Sequence, residues 1–333
     1  MNVSAHLKFD ALNAALKAAG EETRLRILVL LGEAELTVSD LTQILRQSQP
    51  RISRHLKLLA EAGLVERFRE GAWAFFRLAE RGGPAEFARE LIARLDPKDP
   101  MIARDRDRLT AVRTARAAAA QDYFRSHAAQ WDRIRKLHVT DEAVEDAIRE
   151  ALSERPFRSL LDLGTGTGRI LEMFGPDLER GLGIDLSLDM LLLARARIER
   201  AGLRHCSVRQ GDIYDLAVPA GSFDVVIIHQ VLHFLDDGAR AIREAARVLS
   251  PGGRLLVVDF APHDLEFLRE EHAHRRLGFA AEAVTQWMTA AGLDVTLHRS
   301  LSPEHGSDGK VAVSLWLARD PRVLIANDER EVA

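Results

Sequence analysis

Residues 159–174 read SLLDLGTGTGRILEMF, and the reading of this stretch decides the fold of the larger part of the chain. Leu160, Leu161 and Leu163 form a short apolar run, the pattern of a strand buried on both faces of a parallel sheet. Gly164, Gly166 and Gly168 follow, and then a helical pattern begins. A glycine-rich strand-to-helix turn says little alone, because such turns often need small residues. The dinucleotide fingerprint requires G-x-G-x-x-G, and Arg169 stands where its third glycine belongs. The spacing is instead D-x-G-x-G-x-G, with Asp162 just ahead of the loop.

Downstream, GLGIDLS ends a second strand at Asp185, about 20 residues past the loop, which suits a carboxylate accepting hydrogen bonds from ribose hydroxyls. RQGDIYDL places Asp212 at the end of a third strand. FDVVIIHQ reads as a fourth strand, REAARVLSPGG as a helix with a proline-glycine stop, and RLLVVDF as a fifth strand. EAVTQWMTAAG is helical, and LDVTLHRSL with KVAVSLWLARD reads as a closing β-hairpin. Strands alternating with helices predict an α/β domain: a doubly wound, mostly parallel sheet with a C-terminal antiparallel hairpin. Ligands in such sheets bind at the carboxyl ends of the strands, where Asp162, the three glycines, Asp185 and Asp212 all fall.

The whole chain has 333 residues, which suits about two domains. It is 47% hydrophobic and 29% charged, an ordinary globular balance. A net charge of −4 gives no global nucleic-acid signal, so any basic surface must be local. The single cysteine, Cys206, excludes an intrachain disulfide framework and a thiolate metal cluster. The N-terminus lacks a basic segment followed by an apolar run, and no apolar stretch approaches the ~20 residues needed to span a bilayer. A soluble cytoplasmic protein is expected. Prolines in Asp96-Pro97-Lys98-Asp99-Pro100 disfavour a continuing helix and mark a boundary. The expected organisation is a first domain over 1–95, a linker and long connecting helix over 96–121, the α/β domain over 122–320, and a tail over 321–333.

In the first domain, helical patterns cover Phe9 to Ala19 and TRLRILVLL from Thr23. A third begins at Thr37, where T-V-S-D matches the S/T-x-x-acid capping pattern. The fourth, SQPRISRHLKLLAEAG, has Ser48 at its N-cap, Pro50 in its first turn and Gly63 at its end. Ile52, Leu56 and Leu59 give it one buried stripe. Arg54 and Lys57 point away from that stripe, with Arg51 on the flank. From Arg46 to Lys57 there are four basic residues and no acidic one. VERFREGAWAFFRL reads as a β-hairpin centred on Glu70-Gly71, with Arg67, Arg69 and Arg77 able to touch phosphates. The order predicts a winged helix-turn-helix whose second helix enters the major groove. The alternative is a small helical domain with a solvated basic face.

The stretch from about Phe9 to Leu95 resembles the arsenic-repressor (ArsR) family of winged-helix regulators, through EETRLRILVLL, ELTVSDL and QPRISRHLKLLAEAGLVERFREGAWAFFRL. The resemblance implies a homodimer, paired through its first and last helices, on double-stranded operator DNA. The DNA-binding residues expected are Ser48, Gln49, Arg51, Arg54, His55, Lys57, Arg67 and Arg69. In many members ELTVSDL corresponds to a segment that senses metal through cysteines. Here Thr37 and Ser39 stand in their place, and hydroxyls are poor ligands for soft metals. EFARELIARL has no histidine, so no metal site is expected.

The stretch from about Asp122 to Asp320 resembles class I S-adenosylmethionine-dependent methyltransferases, notably small-molecule enzymes like those of quinone biosynthesis. That resemblance implies that Gly164, Gly166 and Gly168 admit the methionine part of S-adenosylmethionine near Asp162. Asp185 would hold the ribose, Leu186 would lie against the adenine, and Asp212 with the backbone of Ile213 would read the adenine edge. YFRSHAAQWDRIR resembles a lid helix, so Tyr123 and Trp131 are candidates to close the pocket. His229, at the end of the fourth strand, is the candidate base or substrate contact; His233 reads more readily as a satisfied core or surface histidine. APHDLEFLREEHAHRRLGF is either a substrate cover or a solvated charged helix. Arsenic methylation would link the two halves, but that chemistry relies on several cysteines. Two functions follow: a regulator whose second domain methylates a small molecule, or a repressor whose second domain only senses S-adenosylmethionine or S-adenosylhomocysteine.

Overall fold

The structure, a computed structural model, describes residues 7–70, 73–79, 82–127, 141–302 and 311–322. The chain divides into two compact units, residues 1–119 and 120–333. No helix among the described residues is long and apolar enough to cross a membrane.

The first unit is built from α1 (Phe9–Ala19), α2 (Glu22–Glu33), α3 (Val38–Leu45) and α4 (Gln49–Glu61), followed by the hairpin β2 (Val65–Glu70) and β3 (Trp73–Leu78). A short strand β1 (Leu36–Thr37) pairs antiparallel with β3, placing Leu36 opposite Phe76. The core is the inward stripe of each helix: Ile27, Leu28 and Leu30 of α2, Leu41 and Ile44 of α3, and Ile52, Leu56 and Leu59 of α4. Thr37 starts α3 as the sequence predicts. Its hydroxyl accepts the Asp40 amide at 3.2 Å, and the Asp40 carboxylate accepts the Thr37 amide at 2.9 Å, a closed capping box. Thr37 is buried and Ser39 exposed.

After α5 (Gly83–Ala93), the charged break at residues 96–100 forms a turn. The Asp99 carboxylate accepts the Met101 amide at 2.8 Å, and α6 runs from Pro100 to His127. The start of this helix is part of the first unit's core rather than a free connector. Ile102, Leu109 and Val112 are buried. Arg26 of α2 forms a two-pronged bond with Asp105 of α6 at 2.6 and 2.7 Å, and Arg113 donates to the Glu33 carbonyl at 2.9 Å. Asp105 is only 2% exposed, so the pair supplies the counter-charge that its burial requires.

Among the described residues beyond α6, the second unit has α7 (Asp141–Ser153) and then alternates: β4 (Ser159–Leu163), α8 (Arg169–Phe174), β5 (Arg180–Asp185), α9 (Leu188–Arg200), β6 (Cys206–Gln210), β7 (Phe223–His229), α10 (Gly238–Val248) and β8 (Leu249–Phe260). The short α11 (Phe267–His272) and α12 (Ala281–Ala290) lead to the hairpin β9 (Asp294–Leu301) and β10 (Val313–Arg319). The seven strands lie in the order β6-β5-β4-β7-β8-β10-β9, parallel up to β8 and antiparallel beyond it. Two apolar layers sandwich the sheet. Ile148, Leu171 and Leu191 belong to one and Ile242, Val284 and Trp316 to the other. This is the doubly wound architecture with a closing hairpin that the alternating pattern predicts.

Replacing Thr37 by alanine removes the cap hydroxyl while leaving the backbone free to keep its conformation. We expect the first unit to lose about 0.5–2 kcal/mol, measured by urea denaturation, with no comparable loss on Ser39→Ala.

Candidate functional site

The glycine loop sits where β4, β5 and β7 end. The amides of Gly164 and Thr165 both donate to the Ile184 carbonyl, at 2.8 and 3.0 Å, so the loop is laced to the tip of β5. Two glycines make this approach possible. Gly164 has φ +70°, and a Cβ there would lie 2.3 Å from Val231, the residue two past the end of β7. Gly183 lies under the loop, and a Cβ there would lie 2.6 Å from the Thr165 hydroxyl. Asp162 is buried and accepts the Thr165 hydroxyl at 2.6 Å, which fixes the loop from inside.

Asp185 ends β5 and holds two amides, Gly166 at 2.8 Å on one oxygen and Ser187 at 2.8 Å on the other. Burial raises its pKa, and these amides pull in the opposite direction. Leu186 is 40% exposed beside it. On the next strand end Asp212 is exposed and accepts the Tyr214 amide at 2.8 Å, while Ile213 is buried. The expected cofactor residues therefore fall at the carboxyl ends of β4, β5 and β6, three neighbouring strands. Trp131 lies outside the described residues, and Tyr123 falls within α6.

Farther along the same sheet edge, His229 ends β7, half-buried. His233, on the 3₁₀ turn Leu232–Phe234, is 2% exposed, and its Nδ1 lies 2.8 Å from the carboxylate of Asp259 on β8. The segment after β8 is not a solvated helix. It folds back along the strand end: the amides of Arg275 and Arg276 donate to the His233 carbonyl at 2.9 and 3.0 Å, and the Phe279 amide donates to Phe260 at 2.9 Å. Leu268, His274, Arg276 and Leu277 are buried in it. Sequence reasoning missed Asp259, whose only signal is its place at the end of RLLVVDF. It also missed Gln230, a non-glycine residue with φ +55° between His229 and Val231. Among the described residues no group of three or more His, Cys, Asp or Glu side chains is placed to hold a metal ion.

In the first unit, Ser48, Gln49, Arg51, Arg54 and Lys57 are all exposed on α4. Ser48 occupies the N-cap position, but its hydroxyl makes no cap bond. His55 turns inward instead. It shares the buried stripe of Ile52, Leu56 and Leu59, with Nδ1 3.6 Å from the Glu21 carboxylate, and burial lowers its pKa. Arg67 and Arg69 are exposed on one face of the wing. Arg77 is on the other face, 3.3 Å from Glu66 and 3.6 Å from Glu35, with its guanidinium over Phe68.

Two family models match these two regions. Residues 21–67 match the bacterial regulatory protein, arsR family, and residues 161–257 match the methyltransferase domain. The chain joins an arsR-type helix-turn-helix segment to a methyltransferase domain. The first region is similar to the arsenical resistance operon repressor of Escherichia coli (strain K12), 52% identical over 64 residues, 19% of this chain and 55% of that one. The second is similar to the demethylmenaquinone methyltransferase of Deinococcus radiodurans, 36% identical over 152 residues, 43% of this chain and 61% of that one. The chain thus spans only part of the curated relatives it matches, 61% of this one and 42% of another. A methyltransferase solved in complex with the Haloferax volcanii Trm112 activator shares the fold, with TM-score 0.51 and 23% identity, covering 61% of this chain and 98% of that one.

Asp185→Ala should weaken S-adenosylmethionine binding roughly ten- to a hundredfold, the loss of charge-assisted hydrogen bonds worth about 1.5–3 kcal/mol. Calorimetry reads this directly, and equal affinity in the variant would remove Asp185 from the site.

Proposed function

We propose that this protein is a transcriptional regulator, acting as a homodimer on operator DNA, whose second domain transfers a methyl group from S-adenosylmethionine to a small molecule. The observation that carries the second half is the alignment of loop, Asp185 and Asp212 along three neighbouring strand ends. The half-buried carboxylate of Asp185 and the glycine cradle fit a nucleoside with an amino-acid tail. S-adenosylmethionine supplies an electrophilic methyl group on a sulfonium centre. The chain's own task is to hold and align. Asp185 takes the ribose hydroxyls, Leu186 covers the adenine, and Asp212 with the Ile213 amide reads its edge. Asp162 keeps the loop in shape around the methionine part. Alignment alone accounts for much of the rate in such displacements.

The first half rests on the exposed basic face of α4. Arg51 and Arg54 would read base edges, Ser48, Gln49 and Lys57 would meet bases or phosphates, and Arg67 and Arg69 on the wing would hold the flanking backbone. His55 stays inside as packing. A second reading has one observation in its favour. The Thr37 hydroxyl is committed to its capping box and Ser39 is no soft-metal ligand, so this segment has no metal input to offer. On that reading, cofactor occupancy sets operator affinity.

Three outcomes follow. Binding to the protein's own promoter should be specific and steeply salt-dependent, and Arg51→Ala or Arg54→Ala should each cost about 1–3 kcal/mol in anisotropy titrations. Promoter affinity equal to that for random DNA would end the regulator claim. Arsenite, zinc and cadmium should leave the operator titration unchanged; release at micromolar metal would contradict the assignment of Thr37. Saturating S-adenosylhomocysteine separates the two readings. A shift of roughly 5- to 150-fold, the usual range of allosteric coupling, favours the sensor, whereas superimposable curves favour an enzyme that shares a chain with its regulator.

A further inference from the structure

Beyond the cofactor strands, β7 and β8 end in a second set of titratable groups that the binding of S-adenosylmethionine leaves unused. Asp259 is fully buried. One of its oxygens accepts both the Phe260 amide and His233 Nδ1, each at 2.8 Å, and the other is buried with no hydrogen-bond partner among the described residues. A carboxylate only accepts, so His233 carries its proton on Nδ1. Nε2, to which no described residue bonds, is left as the basic nitrogen. The ring is held in place by Phe234, His274 and Phe260, with centroids 4.0, 4.2 and 4.8 Å away.

A second imidazole is set the opposite way. His263 Nδ1 accepts the Leu265 amide at 3.3 Å, which puts its proton on Nε2, a buried nitrogen with no partner among the described residues. Burial, with the nearby His233 adding to it, pushes its pKa down to about 4, so it is neutral at pH 7. One imidazole is thus ready to accept a proton and the other to donate a hydrogen bond, both beside the Phe260 ring. Val231, two residues before His233, rests against Gly164 of the glycine loop, so the turn that carries His233 starts beside that loop.

We propose that His233 is the base for an aromatic hydroxyl acceptor, that Asp259 is its positioning residue, and that His263 steadies the acceptor oxygen. The proposal rests on the cofactor reading above. In the step, the acceptor O–H bond breaks and its proton goes to His233 Nε2. The oxygen's electron pair forms the new carbon–oxygen bond while the carbon–sulfur bond breaks and its pair stays on sulfur. The imidazolium then gives its proton to water. A neutral imidazole nitrogen is a useful base for a phenol of pKa about 10, and a poor one for the far less acidic aliphatic alcohols. The surrounding rings favour a flat, apolar acceptor for the same site.

The test uses 4-nitrophenol as probe on the full chain saturated with S-adenosylhomocysteine, and reads the phenolate band against pH. Wild type should bind the probe and lower its apparent pKa by about one unit, roughly a tenfold rise in phenolate fraction on the acid side. His233→Gln should lose the shift. Asp259→Asn should lose most of it, because the amide donates to Nδ1 and drives the proton onto Nε2. ¹⁵N spectra of the wild-type imidazoles give a readout that no variant's folding can spoil: the unprotonated Nε2 of His233 should move when the probe binds. Wild type that binds S-adenosylhomocysteine but not the probe overturns the inference. So does a shift that survives in His233→Gln, or a His233 Nε2 signal that ignores the bound probe. Failure of wild type to bind S-adenosylhomocysteine at all would instead fell the cofactor reading, and this inference with it.

Discussion

The Asp185 carboxylate, accepting the Gly166 amide at 2.8 Å, is the contact around which the second unit's proposed site is arranged. It joins the end of one strand to the loop leaving its neighbour, across a gap that glycine at 183 keeps open. A hydrogen bond to a charged group contributes about 1.5–3 kcal/mol, which adds to the Gly164 and Thr165 amide bonds that lace the loop to Ile184. The same carboxylate is the group assigned to the ribose. On that proposal one side chain both shapes the loop and meets the ligand, which would link the loop's shape to the ligand's binding. Asp162 supports the arrangement from beneath by fixing Thr165.

The first unit solves a different problem, that of presenting positive charge on a stable platform. Its charged residues divide cleanly by partner. Arg26 and Arg113 are spent on holding α6, and Arg77 on the carboxylates of Glu35 and Glu66. Arg51, Arg54, Arg67 and Arg69 are left on the surface. A net charge of −4 for the whole chain is compatible with a basic reading face because the charges are sorted by position rather than by number.

Much of this was legible in the sequence where local pattern decides the outcome. Strand, loop and helix around Asp162, the alternation that follows, the Thr37 capping box and the final hairpin all rest on short-range signals. What escaped was set by long-range packing. His55 sits one helical turn from Ile52, so it belongs to a buried stripe wider than the three apolar residues that announce it. Arg77 pairs across the hairpin with Glu66, a register visible only once β2 and β3 are aligned. The α6 helix reads as a connecting helix because its few buried apolar residues, Ile102, Leu109 and Val112, are scattered among charged ones. Asp259 goes unremarked at the end of RLLVVDF, and His233 reads as a satisfied core or surface histidine; only the fold brings them within 2.8 Å.

The central claim is that the second unit binds S-adenosylmethionine across the ends of β4, β5 and β6. Hydrogen–deuterium exchange on the full chain, with and without saturating S-adenosylmethionine, tests it without any knowledge of the methyl acceptor. The account predicts protection concentrated in residues 162–168, 185–187 and 211–214. Exchange in those three segments that is unchanged by the cofactor would contradict it.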